Sequence, residues 1–123
     1  MNQAAAQIPL VVEIGVDRKL GLRWKSAETQ EAVSLAGYTA RSQCRPTPGS
    51  SQVLWDLTTE NGGIVLEPDG DTGLIQLVFT LAVTAGIKSE SGYYAVELTN
   101  AQGELDRFCE GPVEFSPRVV RDD

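Results

Sequence analysis

The chain has 123 residues, 41% of them hydrophobic, which suits one domain with a core and is too short for two. Its net charge of −7 argues against a nucleic-acid partner, since phosphate binding relies on clustered Lys and Arg. It contains no histidine, which removes Ser-His and Cys-His catalysis and most zinc sites, so the expectation is a non-enzymatic protein without a cofactor. No apolar run approaches the roughly 20 residues that span a bilayer. The start, Met1-Asn2-Gln3-Ala4-Ala5-Ala6, lacks the charged opening and long apolar core of a signal peptide, so synthesis in the cytoplasm is expected.

Residues 1–7 are small and polar and read as a flexible arm. Ile8 to Ile14 is the first expected strand, with Pro9 placing it at an edge or a strand start. From Arg18 to Lys25 the pattern alternates, with Leu20, Leu22 and Trp24 on one face and Lys19, Gly21 and Arg23 on the other. Ser26 to Ala32 is polar and reads as a loop or a helical turn without an apolar stripe. Tyr38 to Arg45 alternates again, with Tyr38, Ala40, Ser42 and Cys44 on one face and Thr39, Arg41, Gln43 and Arg45 on the other. Pro46 to Ser51 breaks that pattern. Val53 to Thr58 is a strand with Val53, Trp55 and Leu57 expected inward. Asn61-Gly62-Gly63 is a turn, Ile64 to Leu66 a short strand, and Pro68 to Gly73 another turn.

Leu74 to Thr80 is apolar on both faces, which fits a strand central in its sheet or covered by another chain. Leu81 to Ile87 reads as one helical turn crossing between sheets. Tyr93 to Thr99 has Tyr94, Val96 and Leu98 inward, and Asn100 to Gly103 forms a hairpin turn. Glu104 to Cys109 and Val113 to Phe115 are the last strands, interrupted at Gly111-Pro112. Arg118 to Asp123 is a charged tail. The domain is therefore expected over residues 8–117 as an all-β, antiparallel immunoglobulin-like sandwich of eight or nine short strands. A jelly roll has the same strand count and spacing and remains the alternative.

Four stretches, in order, carry a family resemblance: Leu35-Ala36-Gly37-Tyr38-Thr39-Ala40-Arg41, then Leu57-Thr58-Thr59-Glu60-Asn61-Gly62-Gly63-Ile64, then Gly92-Tyr93-Tyr94-Ala95-Val96-Glu97-Leu98, and finally Gly103 through Arg107 to Phe115. Together they resemble small β-sandwich proteins of tailed bacteriophages and prophages, similar to baseplate upper protein N-terminal domains and fibre-attachment sandwiches. The resemblance covers about residues 8–121. Cys109 stands where that pattern would carry an aliphatic residue. The resemblance implies a virion structural protein, assembled in the host cytoplasm as a homo-oligomer with other tail, fibre or capsid subunits. With no long C-terminal extension, the expected role is an adaptor on the tail or baseplate that helps anchor fibres. Capsid decoration or head-fibre attachment is the alternative.

The residues offer few other sites. Glu67-Pro68-Asp69-Gly70-Asp71-Thr72 has the oxygen ligands of a calcium loop, but no distal glutamate follows, so a plain acidic turn is expected. Cys44 and Cys109 both fall at inward positions and read as buried reduced thiols, or as a disulfide if their strands face each other. Trp24 and Trp55 would make a stacking platform for a stand-alone carbohydrate-binding module, but their apolar neighbours favour the core. Arg41 and Arg107, on outward faces, are expected to pair with Glu97 or Glu110. Leu54, Leu74 and Val78 lie opposite their strands' core residues, and with the tail residues Arg118, Val119, Val120 and Arg121 they are the expected subunit contacts.

Overall fold

The structure is a computed structural model that describes residues 6–25, 34–66 and 73–119. Among these residues nine strands and one helical turn follow in order: β1 (Ala6–Gln7), β2 (Leu10–Glu13), β3 (Arg18–Arg23), β4 (Thr39–Arg45), β5 (Trp55–Thr58), β6 (Ile64–Leu66), β7 (Leu74–Phe79), α1 (Leu81–Thr84), β8 (Ser91–Thr99) and β9 (Leu105–Ser116). They form two sheets. The larger runs β1-β9-β8-β4-β5, with β2 also paired to β9; the smaller runs β3-β7-β6. This is the immunoglobulin arrangement: β3, β7 and β6 take the B, E and D places, β4, β8 and β9 the C, F and G places, and β5 extends the sheet beyond β4. All pairings are antiparallel except those of β1 and β2, which lie parallel to β9.

The period-2 pattern produces the core directly. Ala40, Ser42 and Cys44 of β4, Trp55 and Leu57 of β5, Tyr94, Val96 and Leu98 of β8, and Cys109, Val113 and Phe115 of β9 are buried on one side of the larger sheet. Ile64, Ile75, Leu77 and Phe79 face them from the smaller one. Trp55 sits at the centre. Its ring meets Phe79 of the opposite sheet edge-on at 4.9 Å between centroids, with Tyr94 and Phe115 each at 6.2 Å. Such aromatic pairs add about 0.5–1.5 kcal/mol beyond their area burial.

The core's polar atoms are matched. The Trp55 indole N–H donates to Ser42 Oγ at 3.0 Å, and the Gly15 N–H donates to Thr84 Oγ1 at 2.8 Å. The Tyr94 hydroxyl donates to the Ile8 carbonyl at 2.8 Å, tying the start of the domain to β8. Among the described residues, no buried side-chain nitrogen or oxygen lacks a partner.

Several local expectations change. Ala6 and Gln7, expected in the arm, pair with β9. Residues 1–5 and 120–123 lie outside the described residues, as do the expected loop at 26–32 and the acidic turn at 67–72. Val53, expected inward, is 41% exposed, because the chain bends at Leu54, whose N–H donates to the Cys44 carbonyl, and β5 starts only at Trp55. The interruption expected at Gly111-Pro112 does not occur; β9 runs unbroken through both. Pro112 falls between Glu110, which pairs with β1, and Val113, which pairs with β2. Gly111 is required there: a Cβ on it would stand 2.6 Å from the Ile8 carbonyl oxygen. A bulge opposite Val96 and Glu97 leaves Phe108 as the extra residue, and its ring packs against Trp24.

Candidate docking face

The outer face of the larger sheet is built by register. Asp56, Gln43, Ala95 and Glu110 make one cross-strand row, and Thr58, Arg41, Glu97 and Arg107 make the next. Arg45, Tyr93 and Pro112 make a third. The small Ala95 side chain lies mid-row, and the larger residues around it enclose a shallow depression of about 330 Å³.

The long side chains here hold one another. Arg41 forks onto Asp56, Nε to Oδ1 at 3.1 Å and Nη2 to Oδ2 at 2.8 Å. Gln43 Nε2 donates to the same carboxylate at 3.1 Å. Arg45 donates to Gln43 Oε1 at 3.0 Å and to the Ser50 carbonyl at 2.9 Å. Across the depression, Glu110 accepts from the Tyr93 hydroxyl at 2.8 Å and from Arg107 at 3.0 Å. Three arginines thus stand among three carboxylates, Asp56, Glu97 and Glu110, a balanced patch on a chain of net charge −7.

The electrostatics follow these bonds. The hydrogen bond from Arg41 holds the Asp56 carboxyl below its ordinary value, aided by Gln43 and the charge of Arg41. The Tyr93 hydroxyl does the same for Glu110, joined by Arg107. Both groups are therefore fixed as carboxylates at neutral pH. Neither is poised to move a proton.

The expected site residues scatter. Leu54 is not part of an exposed row: it is half-buried and packs on the core. Leu74 and Val78 lie half-buried on the outer face of β7, separated by Gln76; β7 is central in its sheet, as its two apolar faces suggest. Arg118 and Val119 are exposed, Val119 at 86%. Val120 and Arg121 lie outside the described residues, and so does the Glu67–Thr72 calcium-like loop. Trp55 is buried, so no platform joins it to Trp24, which is half-buried against Tyr38 and Phe108. Arg107 pairs with Glu110 as expected, whereas Arg41 takes Asp56 rather than Glu97.

Cys44 and Cys109 are free and buried. They sit on β4 and β9 with β8 between them, about two strand spacings apart and beyond the reach of a disulfide. Burial pushes the Cys44 thiol up to about 12 and Cys109 up to about 11. The strongest potential nucleophiles of the chain are therefore inaccessible and protonated.

Tyr93, Asp56 and the central Ala95 are the parts of this face that sequence reasoning missed. The alternation placed Arg41, Gln43 and Arg45 outward, but only the strand register reveals which residues stand opposite them. No protein-family model and no curated protein matches this chain.

Proposed function

We propose that the chain is a non-enzymatic structural protein of a tailed-bacteriophage particle, an adaptor on the tail or baseplate that helps anchor fibres. The ordered Gly-Tyr motifs resemble such sandwiches, and the observation that carries the docking role is the interlocked Arg–Tyr face of the larger sheet. Arg and Tyr are the residues that dominate binding energy at protein interfaces. Here they are held in place before any partner arrives, which lowers the entropy lost on association. The face is charge-balanced, so it would meet a partner of mixed polarity, such as another virion subunit or a second copy in a closed ring. The buried thiols and the absence of histidine support a protein without chemistry of its own.

The test is compositional. Particles of a phage encoding the chain, purified by density gradient, should contain it at fixed stoichiometry by peptide mass spectrometry. Tyr93→Ala combined with Arg107→Glu should lower its incorporation while the purified variant keeps its melting temperature. A chain absent from purified particles, and monomeric without a virion partner by sedimentation, would end the proposal.

A further inference from the structure

Each sheet has edge strands, and one of them is less covered than the others by the described residues. On β5 and β6 the inward row is covered except at one end: Trp55, Leu57 and Ile64 are 3%, 2% and 2% exposed, and only Leu66, the last residue of β6, is half-buried. On β3 the inward row of Leu20, Leu22 and Trp24 is only half-buried. The residues facing β3 one strand further in, Ile75, Leu77 and Phe79, are at most 2% exposed. The topology explains the difference. In the immunoglobulin arrangement the first strand can lie beside the second; here β1 and β2 both join β9. Among the described residues, no strand pairs with the far side of β3.

The hydrogen-bond phase shows which backbone groups that side presents. The Trp24 N–H donates to the Gly73 carbonyl at 2.9 Å, which continues the register of Arg23 with Leu74. Bonded and non-bonded pairs alternate in an antiparallel ladder, so Leu22, Leu20 and Arg18 bond toward β7. Val78, whose N–H reaches the Gly63 carbonyl, gives β7 the matching phase toward β6. Lys19 and Gly21 therefore direct their N–H and C=O groups away from β7.

The edge also carries a charge signature. Arg18, Lys19, Arg23 and Lys25 are four of the ten basic residues in an acidic chain, Arg18 being paired with Glu13 at 2.9 Å. We propose that the outer edge of β3 accepts an added strand from a partner protein, an extended segment alternating acidic and apolar residues. Its main-chain groups would pair with Lys19 and Gly21, its apolar side chains would cover Leu20 and Leu22, and a carboxylate would face Lys19. Gly21 leaves room for close approach of the second backbone. A second copy pairing edge to edge would set these basic residues against one another, which is destabilising. Basic residues on an edge also serve to prevent aggregation, but that role gives no reason for an apolar row left half-covered beside them. The inference concerns edge chemistry and does not depend on the virion reading.

The probe is a short synthetic peptide alternating valine with glutamate, with blocked ends, added to the full chain. At saturation it should slow amide exchange of Lys19 and Gly21 by about tenfold or more, an effect weakened by salt. A valine–lysine peptide should not bind. Gly21→Pro, which removes an outward N–H and no ladder bond, should abolish binding; Gly21→Ala should keep it. Lys19→Glu keeps every backbone group and should weaken the glutamate peptide and favour the lysine one. No binding by the glutamate peptide overturns the proposal. So does equal binding by a folded Gly21→Pro variant, protection away from β3, or a self-dimer sealed at this edge.

Discussion

The two sheets solve the same problem to different degrees. The larger sheet has its inner face filled by an aromatic cluster, its outer face tiled by side chains that bond one another, and its first strands laid along β9. The smaller sheet has one central strand with a dry inner row, and beside it β3, whose own row is partly wet. Sequence pattern alone treats these strands alike, since Arg18–Arg23 alternates as cleanly as Thr39–Arg45. Where the first strand docks decides which edge is closed.

The sharpest way to break this comparison is to truncate an edge residue in each sheet. Trp55→Ala removes a buried ring that touches three aromatics and strands the Ser42 hydroxyl. It should cost about 3–5 kcal/mol in urea unfolding. Leu22→Ala, on the half-covered row of β3, should cost about 1–2 kcal/mol. If the leucine change costs as much as the tryptophan change, the β3 row is already covered in solution.

Glycine substitutions sharpen the same contrast. Gly111→Ala drives a Cβ into the Ile8 backbone at the closed edge and should cost about 1–3 kcal/mol, with faster exchange of the β1 and β2 amides as the first strands loosen. Gly21→Ala meets only the flexible end of Leu74, at 3.3 Å, and should stay within about 0.5 kcal/mol of neutral. Equal costs would mean that the two edges are equally packed.

Strand positions were largely legible because period-2 alternation depends on local chemistry. Leu20, Leu22 and Trp24 face the interior as their spacing requires, and the residues of β4 and β8 follow suit. What failed was parity next to a bend and anything set by partners distant in sequence. Val53 and Leu54 exchanged faces because a main-chain bond from Leu54 to Cys44 resets the alternation before β5. Pro112 read as a break because its missing N–H matters only if a neighbour needs it, and the first strand passes that point between its two pairing segments. The docking face was half visible: Arg41 and Arg107 stood outward in the sequence, but Asp56 became the partner of Arg41 only through the β4–β5 register.

The smallest expected effect tests whether the tiling of the larger sheet is structural or held ready for a partner. Arg41 and Asp56 are exposed, so a double-mutant cycle with Arg41→Ala and Asp56→Ala should give a favourable coupling well below the cost of Gly111→Ala, reduced further by salt. Its pH dependence has a definite sign. The folded Asp56 carboxyl lies below its ordinary value of 3.8, chiefly through the Arg41 hydrogen bond. The coupling is therefore fully present above that value and is lost as pH falls through the lower, folded one. Glu110, lowered from 4.5 mainly by Tyr93, behaves alike, so Tyr93→Phe should remove part of the acid sensitivity, and also the alkaline loss that comes from the Tyr93 hydroxyl, raised from 10.0 chiefly by its bond to Glu110. A coupling unchanged across the acid range would mean that the fork does not form in solution. The face would then be an unordered polar surface, and the preorganisation on which its docking role rests would be gone.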